Sequence, residues 1–133
     1  MSIELLSLSK NKIIHLHPLA KLDTLICLNI NNNKVYDLEP LKELPKLEEL
    51  YAANNQINLI DALEGLQKLH ILNLYNNKIS RLQESVKILD NLPDLEELDI
   101  ELNPVYSVVS RPKFVNLQKI VRLNGDLILQ EEK

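Results

Sequence analysis

Few residues in this 133-residue chain combine the type and the spacing that covalent or acid–base chemistry needs. His15 and His17 flank Leu16, a spacing that two metal ligands can use. A zinc centre takes three or four ligands, and neither a cysteine nor a third ligand lies close by, so both read as turn histidines. Cys27 is the single cysteine, and it would need an imidazole within hydrogen-bond reach to act as a nucleophile. The strand histidine His70 belongs two sequence repeats further on, about 10 Å away at the usual strand spacing. Ser7, Ser9, Ser107 and Ser110 lie in neither a G-x-S-x-G nor an S-x-x-K setting. The carboxylate pairs Glu48-Glu49 and Glu96-Glu97 are sequential, so on a strand their members point to opposite faces, with nothing apolar to raise a pKa. The residues therefore predict no enzyme, no metal centre and no cofactor.

Composition narrows the class further. Hydrophobic residues make up 45% of the chain and charged residues 26%, too apolar for a disordered segment and long enough for one domain. Leu and Ile dominate, against one Phe, four Tyr and no Trp. Two glycines, Gly65 and Gly125, cannot build a phosphate-cradling loop. No apolar run reaches the roughly 18 residues of a membrane span, and the start lacks the basic region of a signal peptide. A lone cysteine fits a reducing compartment, so the expected home is cytoplasmic or nuclear. A net charge of −4 disfavours nucleic acid as a general ligand.

The elements that must position any site are set by a repeat. Asn11, Asn33, Asn55, Asn77 and Asn103 are spaced 22, 22, 22 and 26 residues apart. Around each runs the frame L-x-x-L-x-L-x-x-N-x-I, filled first by Ile3, Leu6, Leu8, Asn11 and Ile13 and last by Leu95, Leu98, Ile100, Asn103 and Val105. Ala52 is its one small substitution. The L-x-L alternation predicts a short strand with its leucines inward, and the asparagine a turn after it. Return segments repeat Leu at intervals of three (Leu16, Leu19, Leu22; Leu38, Leu41, Leu44), with Pro18 and Pro40 inside them, which predicts 3₁₀-like passes. The longer fourth repeat carries Leu82, Val86, Leu89 and Leu92 within 81–92, which predicts a true α-helix. Such units bury their leucines only by stacking, so five parallel strands would form a concave sheet roughly 25 Å long.

These motifs resemble the leucine-rich repeats of the short 22-residue class typified by the regulatory subunit of protein phosphatase 1. The resemblance covers residues 3–105 and implies an α/β solenoid: a horseshoe with a concave parallel β-sheet, short 3₁₀/α convex passes and a C-terminal cap. The whole chain, 1–133, is read as a single domain, with repeats at about 3–24, 25–46, 47–68, 69–94 and 95–105 and a cap over 106–129. In related members Asn-Pro, a Tyr-Arg pair, a short helix and a Leu-Asp-Gly turn follow the last repeat. Asn103-Pro104-Val105-Tyr106 and Leu123-Asn124-Gly125 match the ends of that pattern. Val109-Ser110 stands near the Tyr-Arg position and Gln118 replaces a proline, while Pro112 can open a helix through Phe114, Leu117 and Ile120. No capping element precedes the first strand. Three explanations stay open: a longer parent chain, a frayed first repeat, or self-association through the uncapped edge strand.

The frame also predicts which residues face the concave side. One column reads Leu5, Cys27, Glu49, Ile71, Glu97; the next Ser7, Asn29, Tyr51, Asn73, Asp99; a third Ser9, Asn31, Ala53, Tyr75, Glu101. Tyr51 and Tyr75 would supply contact area with a polar tip, and Ile71 an apolar surface. Glu4, Glu48, Glu49, Glu96, Glu97, Asp99 and Glu101 crowd this face against one base, Lys10, which favours a protein partner with a basic patch. Lys12, Lys34 and Lys78 recur just after the asparagine and read as solubilising charge. The predicted partner-binding residues are Tyr51, Tyr75, Glu49, Ile71, Asn73, Glu97, Asp99 and Glu101. The function that follows is a non-enzymatic protein-binding adaptor, with a phosphatase 1 type regulatory subunit as the resemblance. The long fourth repeat is also similar to the leucine-rich-repeat dynein light chain and to the spliceosomal A-prime protein, which implies a cytoskeletal adaptor or a ribonucleoprotein scaffold as alternatives.

Overall fold

A computed structural model describes residues 2–132 of the chain; Met1 and Lys133, the ends of the predicted 1–133 span, lie outside the described residues. Each L-x-L segment forms a three-residue strand: β1 (Leu5–Ser7), β2 (Cys27–Asn29), β3 (Glu49–Tyr51), β4 (Ile71–Asn73) and β5 (Glu97–Asp99). They pair in parallel and in register, so Leu28, Leu50, Leu72 and Leu98 stack into one buried row. The residues flanking that row point to the other face, as the two-residue period of a strand requires. The register reproduces the first two predicted columns residue by residue.

The turn after each strand divides its work between two neighbouring residues, where the sequence had suggested one. Asn32, Asn54 and Asn76 adopt a left-handed backbone, with φ of 60°, 57° and 55°. This conformation costs most side chains about 1–2 kcal/mol and asparagine less. The next residue, the asparagine of the frame, is buried and spans two repeats. Asn77 Nδ2 donates to the carbonyls of Ala52 (2.9 Å) and Leu74 (3.0 Å), while its Oδ1 accepts from the backbone N–H of Ile57 at 3.0 Å. Asn33, Asn55 and Asn103 do the same for their neighbours. A buried backbone group left unpaired would be costly, so this spine fixes the stacking.

The return passes are 3₁₀ turns at His17–Lys21, Glu39–Glu43 and Asp61–Leu63, the first two opened by proline as predicted. The extra residues of the fourth repeat form helix α1 (Leu82–Asp90), which buries Ser85, Ile88 and Leu89. Beyond β5 the cap holds helix α2 (Arg111–Val115), whose Phe114 and Val115 close the core, and then strands β6 (Arg122–Leu123) and β7 (Asp126–Leu127). β6 extends the parallel sheet beyond β5, and β7 folds back antiparallel to it. Asn124 and Gly125, both at positive φ, make the two-residue turn that such a hairpin favours. The sheet thus has seven strands where the repeats alone suggested five.

The cap's tyrosine–arginine contact is made, though not through Val109-Ser110: the Arg111 guanidinium donates to Tyr106 Oη at 3.0 Å and to Glu132 at 2.9 Å. Gln118, in the place of a proline, ties the cap to α1 through Asp90, its backbone N–H donating to Oδ1 at 3.0 Å. At the opposite end Ile3, Leu6, Leu8 and Ile13 are only half-buried, whereas their counterparts from the second repeat onward are buried. Among the described residues β1 pairs with β2 alone, and Leu5 is 72% exposed.

Candidate functional site

The concave face is uneven in chemistry. Over β1 and β2 it presents Leu5, Ser7, Cys27 and Asn29, with no charge. Over β3 to β5 it presents Glu49, Tyr51, Ile71, Asn73, Glu97 and Asp99. The sequence missed one member: β6 adds Arg122 beside Glu97 in the register, with its Nε 3.8 Å from the Glu97 carboxylate. Its signal was present, because Ile120 and Leu123 fill the first and fourth places of a sixth, truncated frame. The acidic face therefore has a second base besides Lys10.

A notch opens between β3 and β6. Tyr51 and Ile71 form its apolar wall, Asn73, Glu97 and Asp99 its polar side, and Arg122 its end. Tyr51 Oη donates to Glu49 Oε1 at 2.5 Å, which fixes the ring across the face. Burial, and then that hydrogen bond, push the Tyr51 phenol well above its ordinary range, so it stays a neutral donor. Asn73 and Asp99 each turn Oδ1 onto a backbone N–H two residues on, to Tyr75 at 3.0 Å and Glu101 at 3.3 Å. Burial raises the Asp99 carboxyl above its ordinary value, against the pull of that N–H and helped by the nearby Glu101 charge. The notch therefore offers an aromatic edge, an aliphatic side chain and carboxylates, of which Asp99 is partly desolvated.

Not all the predicted residues meet there. Tyr75 and Glu101 sit at the C-terminal ends of β4 and β5, outside the notch, Tyr75 half-buried and Glu101 exposed. Glu48 and Glu96 gather at the other edge of the sheet with Asp94, Lys68 and His70, whose Nδ1 is 3.6 Å from Glu96. The seven carboxylates expected on one face thus divide between the face and its rim. The Cys27 thiol is pushed up by burial and by Glu49, the reverse of an activated nucleophile. The His15 and His17 rings lie 5.4 Å apart and tilted, with Tyr36 edge-on to His15, and among the described residues no group of three or more potential ligands is placed to hold a metal. No described helix is long and apolar enough to cross a membrane.

Residues 45–87 match the family model described as Leucine Rich repeats (2 copies). The chain is built of leucine-rich repeats. Solved structures agree in fold. Internalin C2 of Listeria monocytogenes is 31% identical over 92% of this chain, with a TM-score of 0.77. A leucine-rich-repeat protein of Leptospira interrogans is 30% identical over 88% of this chain and 30% of its own, with a TM-score of 0.75. The SNF/U2A′ complex of Drosophila melanogaster, 24% identical over 96% of this chain and 76% of the other, superposes with a TM-score of 0.81. The chain spans about half the length of internalin C2, 51%. No curated protein sequence matches it. Solenoids of this kind present their inner sheet as an extended concave surface.

Proposed function

We propose that this leucine-rich-repeat chain is a single-domain, non-enzymatic adaptor that holds a protein partner on its concave sheet, across β3 to β6. The observation that carries this reading is the notch: Tyr51 and Ile71 lie half-buried on a sheet face beside Glu49, Glu97 and Asp99. Aromatic and aliphatic anchors bordered by charge are the composition of interface hot spots, and the excess of carboxylates calls for a partner with a basic patch. The same charge repels phosphate backbones, which argues against nucleic acid. A role inside the cell, in cytoplasm or nucleus, fits the free thiol of Cys27.

Regulation of a phosphatase 1 type enzyme is the specific role to test first. Helix α1 in the fourth repeat supports a cytoskeletal adaptor or a ribonucleoprotein scaffold as the second reading. The deciding experiment is affinity capture from native lysate with wild type beside a Tyr51→Ala/Tyr75→Ala/Glu97→Lys variant, read by mass spectrometry. Each tyrosine should contribute about 2 kcal/mol to binding. A phosphatase catalytic subunit lost only in the variant supports the first reading; a dynein heavy chain or a spliceosomal protein supports the second. Identical catches from two equally folded baits would refute the concave site. Self-association through β1 is a separate proposal, supported by its unpaired edge and the exposed Leu5.

A further inference from the structure

Leu102 is the residue the repeat explains least. It occupies the left-handed position that Asn32, Asn54 and Asn76 fill in the three preceding repeats, with φ of 55°. Asparagine tolerates that conformation because its side chain bonds locally; leucine gains nothing comparable. Nor does Leu102 recover the cost by packing, since its side chain is 60% exposed. Leu102, Pro104 and Val108 line a shallow depression with Asn76, Lys78 and Glu101. In that depression Val108 is exposed to 89%. Strain held on an exposed apolar side chain points to a contact made with something outside the fold.

The depression continues from the concave face. Glu101 borders it and follows Asp99 by two residues along the chain as β5 ends. Of the carboxylates Glu97, Asp99 and Glu101, only Glu97 has a cation within ion-pair distance among the described residues, namely Arg122. An anionic path therefore leads from the notch to an apolar seat. At a strand rise of about 3.3 Å per residue, Asp99 and Leu102 are separated by the length of about two or three extended residues.

We propose that the partner segment leaves the concave face over the C-terminal end of β5 and seats an aliphatic side chain on Leu102 and Val108. The ligand is then an extended protein segment with a lysine or arginine for Asp99 and Glu101, and a large aliphatic residue about two or three positions away for the depression. This rests on the concave-face reading and adds a second, apolar contact and a spacing to it.

The test uses the full chain as bait for a displayed library of random short peptides, followed by titration of the best synthetic peptide. Enrichment of a basic and an aliphatic residue at that spacing is expected. Leu102→Asn should bind the peptide about tenfold more weakly, the scale of one buried aliphatic contact, while melting no lower than wild type. Val108→Ser should weaken it in the same direction. No enrichment, enrichment without a fixed spacing, or full binding by Leu102→Asn overturns the proposal. If Tyr51→Ala abolishes binding while Leu102→Asn does not, the concave site stands and only the seat falls. If both variants bind as wild type, the concave-face reading falls as well.

Discussion

Asp99 shows how one residue can be expensive to the fold and useful to a ligand. Burial raises its carboxyl above the ordinary value, so the folded chain holds protons more tightly than the unfolded chain. Its contribution to stability is therefore fully present at acid pH and lost as pH rises through the folded value. At neutral pH the carboxylate is held at a cost that a cation from a partner would offset. The affinity of a basic peptide should then fall as pH drops through the range where Asp99 takes up its proton. Asp99→Asn should abolish that step while keeping the acceptor for Glu101 N–H; titration calorimetry across pH reads both. An unchanged pH profile in Asp99→Asn would assign the step to another carboxylate. Position on the face was legible for Tyr51, Ile71 and Asp99, because a two-residue period places them without any knowledge of contacts. Arg122 was harder, because Gly125 stands where the frame's third leucine belongs and no spine asparagine follows.

Among the elements, the asparagine spine carries the most specific demand. Asn77 is buried and serves two repeats, whereas Asn11 is exposed and bonds only carbonyls of its own turn, Leu8 at 2.9 Å and Ser9 at 3.1 Å. Asn77→Ala leaves the buried Ile57 N–H without its partner and takes one of two donors from the carbonyls of Ala52 and Leu74, which should cost about 2 kcal/mol. Asn11→Ala, open to water, should cost about 0.5 kcal/mol. Denaturant unfolding of the two variants measures the difference, and equal losses would mean the spine does not hold the stack. The strands, the 3₁₀ passes and α1 were all legible because apolar spacing alone distinguishes periods of two, three and 3.6. The sixth strand and its hairpin were not, although Asn124-Gly125 is a strong turn signal, because each strand is only two residues long. The Tyr106–Arg111 contact was likewise hidden, since its partners are joined by a turn of Ser107 and Ser110 that no periodicity describes.

Over the whole molecule, charge is ordered across the sheet as well as along it. Glu4, Glu48 and Glu96 lie at the strands' N-terminal ends, and Lys10, Lys12, Lys34 and Lys78 beyond their C-terminal ends. The β1 edge carries one of each at opposite ends, Glu4 and Lys10, so two copies running antiparallel would bring unlike charges together, as a two-fold interface requires. Sedimentation over a dilution series should show a dimer that Leu5→Lys removes. A monomer at every concentration would end that proposal and leave the adaptor reading untouched. The net charge of −4 disclosed none of this order, since a total does not record where charges sit.

The spine of asparagines has a consequence for how the molecule comes apart. Each link is anchored in the turn on either side, so a repeat that opens loosens its neighbour, and opening travels as a zip does, from whichever end is loose. The half-buried first repeat supplies that end, while the cap is fastened by Arg111, Glu132 and Gln118. Amide exchange would then run as a clock along the chain, earliest at β1 and latest near β4. A partner seated over β3 to β6 would grip the slow end of that clock, leaving the fast end free to tick whether or not it is bound.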